Sequence, residues 1–219
     1  MKYSRILTLA MLLIVGNFVY ANAGKETLTI ITITGTEYLT VDSNTKELVF
    51  RKPSKVTEIR GLGKSKKLET LVFDMTAFLH DFSFLTDVPG LKKLVIVSII
   101  PENWDFLKDL KKLEILSLRG YPKKTIILDL QYNTVLEYLE FYSGTLDTYP
   151  DLLNVPDSLQ YLNLSYTYIT DIPQDKESVT GYTTIIYPNK LKRTVEGKFI
   201  FKKAEAVLPE KYIISGVSH

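Results

Sequence analysis

The sequence predicts an α/β solenoid with short parallel strands on a concave face, irregular or short helical arcs on the convex face, and β caps at the ends. Three observations carry this. A pattern L-x-x-[LV]-x-[LIF] recurs in KKLETLVF (66–73), KKLVIVSI (92–99), KKLEILSL (111–118), TVLEYLEF (134–141) and SLQYLNL (158–164). With KELVF before them and YTTIIY after them, its middle position falls at Leu48, Leu71, Val97, Leu116, Leu139, Leu162 and Ile185, in steps of 23, 26, 19, 23, 23 and 23. Between these segments lie arcs such as YTYITDIP, which turn inward at Ile169 and Ile172 and stop at Pro173. Within each strand the middle and last apolar positions are two apart and share one face, so six apolar residues line the inside of one coil.

In chain order the first element is residues 1–23. Lys2 and Arg5 precede the apolar run ILTLAMLLIVGNFVY, and small Ala21 and Ala23 flank the end of ANA before Gly24. That order predicts a secretory signal peptide cleaved before Gly24. A membrane anchor is the competing reading; it needs about 20 apolar residues, and this run is shorter and interrupted by Gly16 and Asn17. With 0 cysteines the exported domain has no disulfides and no lipid-acceptor thiol, so it rests on its apolar core alone. The ending KYIISGVSH is too short and polar to span a bilayer. A secreted or periplasmic protein with no membrane span after signal cleavage is expected.

Residues 24–44, with TLTIITIT and EYLTVD, read as strands of an N-terminal β cap, because a stack of coils leaves a flat apolar end that must be covered. Residues 45–188 are the repeats, about seven coils. FLTDVPGLKKL (84–94) and FLKDLKKL (106–113) read as one arc with and without the three residues VPG, and EIRGLGKSKKL (58–68) places Ile59 where Leu85 sits. Residues 189–219, with GKFIF and EKYIIS, read as a C-terminal cap, a closing hairpin or short strands.

A period in the twenties with L-x-x-L-x-L is the signature by which the stretch from about 45 to 188 resembles the leucine-rich-repeat family. The resemblance is to secreted bacterial members, the internalin-like group with repeats of about 22–23 residues. Typical members place Asn three residues beyond the strand's last apolar position; here Thr76, Glu102, Tyr121, Gly144 and Thr167 stand there. The resemblance implies a protein-binding module in the cell envelope or facing a host, with no cofactor.

The strand residues that alternate with the buried pair form three outward rows. The first runs Glu47, Thr70, Ile96, Ile115, Tyr138, Tyr161 and Thr184. Between the buried positions come Val49, Val72, Ser98, Ser117, Glu140, Asn163 and Ile186; beyond them come Arg51, Asp74, Ile100, Arg119, Tyr142, Ser165 and Pro188. Strands about 4.8 Å apart spread seven positions over roughly 29 Å, enough for a protein or an extended peptide. Ile96, Ile100, Ile115, Arg119, Tyr138, Glu140, Tyr142, Tyr161 and Asn163 are therefore the candidate partner-binding residues, and tyrosine with arginine suits an interface. Two readings of these side chains stay open: contact with a partner, a protein of the host or the envelope or a cell-surface glycan, or cross-strand pairing that stabilises the sheet by itself.

Chemistry is sparsely represented. With 27 Lys+Arg against 25 Asp+Glu, no polyanion-binding surface for nucleic acid is predicted. The 2 histidines are His80, beside Asp81, and the terminal His219. No nucleophile motif accompanies His80–Asp81, and no metal-ligand spacing occurs. GLGKS (61–65) lacks phosphate-loop spacing, DSNTKE (42–47) reads as a plain turn, and NLS (163–165) matches a glycosylation acceptor. A binding protein without enzymatic activity is expected; an effector or enzyme using the repeats as a substrate-positioning scaffold and a structural envelope protein are the alternatives.

Overall fold

The structure, a computed structural model, describes residues 24–51, 55–74, 78–98, 101, 103–120, 126–143, 146, 150–164, 167, 169, 183–185 and 210–214. It is β-rich. Its centre is a seven-stranded parallel sheet built from β3 (Glu47–Arg51), β5 (Thr70–Asp74), β6 (Lys93–Ser98), β7 (Ile115–Gly120), β9 (Tyr138–Tyr142), β11 (Tyr161–Asn163) and β12 (Thr183–Ile185). Each strand lies beside the one before it in this series.

Strand register fixes the interior columns. Leu48, Leu71, Leu94, Leu116, Leu139 and Leu162 pair strand to strand in one row, and Phe50, Phe73, Ile96, Leu118 and Phe141 form the second. All are buried in one continuous cluster, as are Leu68, Leu91, Leu113, Leu136 and Leu159. Phe50 stacks on Phe73 with ring centroids 5.3 Å apart, and Phe73 meets Phe82 edge-on at 5.5 Å, so part of the core is an aromatic file.

The third strand corrects the sequence reading. Leu94, not Val97, stands in the column, in the match L-K-K-L-V-I from Leu91 to Ile96, and the steps from Leu71 to Leu94 to Leu116 become regular. No VPG insertion is therefore needed. The arcs run in parallel instead: Leu85, Val88 and Leu91 close successive three-residue turns, as Leu107, Leu110 and Leu113 do in the next arc. Ile59 does not occupy the place of Leu85; Leu62 does, in the 3-10 turn Leu62–Lys64 that matches Ser83–Asp87 and Asp105–Asp109. At the far edge Leu162 pairs with Thr184 in place of Ile185.

Gly61 (φ 89°) lies in the left-handed region that side chains avoid. At Gly63 a Cβ would stand 3.0 Å from the Asp87 carbonyl oxygen, so only glycine lets these two turns approach so closely. Asn133 takes the place held by Val88 and Leu110 in earlier arcs. It is fully buried, and its Nδ2 donates to the Leu107 and Leu110 carbonyls at 3.0 Å each, tying one arc to its predecessor.

The amino-terminal strands form as predicted: β1 (Lys25–Thr32) and β2 (Gly35–Asp42) are an antiparallel hairpin. A third strand, β4 (Val56–Arg60), comes from inside the repeat stretch and pairs with β1, placing Ile59 opposite Ile30 under the cap. On the arc side β8 (Ile127–Asp129) and β10 (Asp151–Leu153) form a small parallel pair. Among the described residues the helical pieces are 3-10 turns, and no helix is long and apolar enough to cross a membrane.

The signal-peptide assignment to 1–23 and the strand assigned to GKFIF lie outside the described residues. Of the predicted carboxyl-terminal cap, the described part is a 3-10 turn, Glu210–Tyr212, followed by Ile213 and Ile214, and it is not a strand. It lies against the face of the large sheet that is turned away from the core.

Candidate functional site

That second face carries an apolar cluster of its own: Val49, Val72, Val95, Val97, Ile115 and Tyr138, joined by Tyr212 and Ile214 from the chain's far end and by half-buried Tyr161. Alternation along each strand produces it. Residues flanking the column leucines point away from the main core, and those in this cluster are β-branched or aromatic, types that suit a pleated surface.

The candidate residues divide accordingly. Ile115, Arg119, Tyr138, Glu140, Tyr142, Tyr161 and Asn163 stand on the second face, in the registered rows Ile115–Tyr138–Tyr161, Ser117–Glu140–Asn163 and Arg119–Tyr142. Ile96 does not. It is 0% exposed in the main core between Phe73 and Leu118, and Val95 and Val97 take the second face of that strand, with Lys93 in the row of Thr70 and Ile115. Ile100 lies outside the described residues.

Beside the apolar cluster, a polar network is sunk into the same face. Arg119 donates Nε to Glu140 Oε2 (3.0 Å) and Nη2 to Oε1 (3.2 Å), and both side chains are buried. Ser117 Oγ donates to Glu140 Oε2. Tyr138 donates its hydroxyl to Glu140 Oε1 (3.3 Å), and Asn163 Nδ2 donates to Tyr138 Oη (2.8 Å) and to Glu140 Oε1 (3.2 Å). The Arg119 guanidinium sits 5.2 Å from the centroid of the Tyr142 ring, a cation–π distance. Burial, and then the Glu140 carboxylate, push the Tyr138 hydroxyl well above its ordinary pKa, so it stays protonated and donating. Burial pulls the neighbouring Lys93 amine down. A carboxylate held by five donor contacts from three strands is a rigid fixture, because removing one member strands the charge of another.

Tyr212 lies on the rim of this network. Its ring stacks on Tyr138 at 5.0 Å with planes 10° apart and touches Tyr161 at 5.2 Å, leaving Tyr212 1% exposed. Its hydroxyl donates to Glu137 Oε2 at 2.9 Å, and Lys211 Nζ binds the same oxygen at 2.5 Å. The Lys211 hydrogen bond holds the Glu137 carboxyl below its ordinary range against the opposing effect of partial burial, with a smaller contribution from the Tyr212 hydroxyl. Glu137 in turn holds the Lys211 amine above its ordinary pKa. These contacts span 74 and 75 residues of sequence.

Glu137, Lys93, Val95, Val97, Lys211, Tyr212 and Ile214 were not among the candidate residues. Lys93, Val95 and Val97 become legible once Leu94 is placed in the column. No spacing in the sequence ties Lys211–Ile214 to the sheet.

The other chemical candidates resolve into turn structure. Asp81 Oδ1 accepts the Ser83 amide at 2.8 Å, as Asp42 Oδ1 does for Asn44 (2.7 Å) and Asn103 Oδ1 for Asp105 (2.6 Å); each oxygen closes a turn. His80 is exposed. Among the described residues no group of His, Cys, Asp and Glu is gathered to hold a metal ion. No protein-family model matches the sequence, and neither does any curated protein.

Proposed function

We propose that this protein is an exported leucine-rich-repeat solenoid whose concave sheet face binds a short stretch of polypeptide from a protein partner of the envelope or a host. The observation that carries this reading is the occupancy of that face: residues 211–214 sit on it through an aromatic stack, an ion pair and an aliphatic contact. The recurring L-x-x-L-x-L at steps of 22 or 23 supports the solenoid, and the leader-like residues 1–23 support export. The rigid Arg119–Glu140 network supports recognition, because a fixed floor lowers the ordering cost of binding. Among the titratable residues of this face, Arg119, Glu140 and Tyr138 are engaged with one another, which favours a fixed binding floor over a reacting group.

Selection of random peptides displayed on phage tests the reading, with the Tyr212→Ala protein as bait so that its own segment no longer holds the face. Peptides should be enriched, and adding Tyr161→Ala should weaken their binding at least about 10-fold, as loss of an aromatic anchor does. Failure to enrich any sequence on a bait with native circular dichroism would sink the proposal.

A further inference from the structure

We infer that residues Lys211–Ile214 are a displaceable stand-in for the ligand, and that the face selects segments with a cation, an aromatic ring next to it and an aliphatic side chain two residues later. This rests on the peptide-binding reading above.

The seat has three parts. Glu137 supplies a carboxylate at the strand's start that binds both the Lys211 ammonium and the Tyr212 hydroxyl. Tyr138 and Tyr161, paired across β9 and β11, form the wall against which the Tyr212 ring lies. Val49, Val72, Val95, Val97 and Ile115 belong to the apolar cluster that takes in Ile214. The Lys211 ammonium also lies 4.6 Å from the centroid of its own Tyr212 ring, so cation and ring act as one unit.

Two features make this segment exchangeable. The network beneath it does not draw on it: the hydrogen bonds that fix Glu140 come from Ser117, Arg119, Tyr138 and Asn163, none of them in 210–214. The floor therefore keeps its shape when the segment leaves. The segment also holds on by side chains: Lys211, its charged anchor, is more than half exposed, and the Ile213 N–H bonds within the segment, to the Glu210 carbonyl. A competitor with the same side chains replaces every one of its contacts to the sheet.

Competition with a tethered segment sets the expected numbers, because a tether supplies an effective concentration in the millimolar range. The probe is a fluorescein-labelled peptide PEKYIISG, the sequence of residues 209–216, read by fluorescence anisotropy. The Tyr212→Ala protein should bind it at least about 10-fold tighter than the native protein does. Peptides with Lys replaced by Glu, or Tyr by Ala, should lose at least about 10-fold. Glu137→Lys in the Tyr212→Ala protein should weaken the parent peptide and restore the Glu-bearing one. Should Tyr212→Ala misfold, Lys211→Glu vacates the seat by repulsion from Glu137 and serves in its place.

Equal binding of parent and substituted peptides, or no binding by a folded variant, overturns the inference. A native dimer that free peptide dissociates also overturns it, by giving the seat to the segment of a second copy. If the displayed library yields peptides without the cation–aromatic–aliphatic pattern while PEKYIISG stays silent, this specificity falls and the peptide-binding reading stands; if neither binds, both fall.

Discussion

Arg119 and Glu140 show how one residue pair constrains this face. The pair is buried at 8% and 5% side-chain exposure, where an uncompensated charge is expensive but a matched apolar pair is not. Glu140→Leu should therefore cost about 3–5 kcal/mol, and adding Arg119→Met should recover only part of that loss, because the buried Ser117 and Tyr138 hydroxyls still lack their acceptor. Urea midpoints at constant slope measure both. Glu137 makes the complementary, half-buried case. Its carboxyl is held below the ordinary 4.5, so its part in docking residues 211–214 is complete above that pH and is lost as pH falls through the lower docked value. Lys211 is held above its ordinary 10.5, so its part is complete below that pH and is lost as pH rises through the raised value. The ring resonances of Tyr138 and Tyr212 should be constant through neutral pH and shift together only as the Glu137 carboxyl is protonated, below its ordinary 4.5.

At the scale of the element, the third strand separates what alternation reveals from what it conceals. In KKLETLVF and KKLEILSL a polar residue marks which neighbours point away from the main core, and the rows read from sequence match the observed pairing at Leu71 and Leu116. Leu94–Val95–Ile96–Val97 has no such marker, because both faces of β6 are covered, one by the core and one by the second cluster. A strand buried on both sides reads as a continuous apolar run, and Leu94-x-x-Val97 imitates the repeat three residues late. Ile96→Ala should cost about 2–5 kcal/mol, as a buried aliphatic truncation does, whereas Lys93→Ala on the half-covered face should stay within about 0.5 kcal/mol. Thermal or urea unfolding distinguishes the two; a small loss at Ile96 would restore the earlier register. The last strand is ambiguous for a related reason, since Thr184 and Ile185 both fit a β pattern. The amino-terminal strands were readable from TLTIITIT and EYLTVD, but the recruitment of Val56–Arg60 was not, because pairing with β1 depends on the chain's return path.

For the whole molecule, most cohesion in the large sheet is between neighbours in sequence, each strand touching the ones a single step away. The contact of Lys211 and Tyr212 with Glu137 is of another kind, closing a loop of 74 or 75 residues. Loop closure is entropically costly, and the segment has few anchors to repay it. It is therefore expected to open well below the global unfolding free energy. Native-state hydrogen exchange should show the Ile213 amide, bonded to the Glu210 carbonyl at 3.0 Å, exchanging long before the ladder amides of β6 and β7. Simultaneous exchange would make the segment part of the cooperative core. Local periodicity announces the neighbour contacts; a single distant tyrosine carries no period, and only the coordinates bring it to Tyr138.

The near-constant step between columns has a further consequence for how this chain tolerates changes in length. From Leu71 to Leu94 is 23 residues and from Leu94 to Leu116 is 22, with the same three apolar ranks meeting at every junction. Excising residues 94–115 joins Lys93 to Leu116 and restores a seamless interior, one storey lower. A cut half that long leaves leucines facing solvent and charges facing leucines. Growth and shrinkage are thus quantised for this protein: whole storeys are admissible, and fractions of one are not.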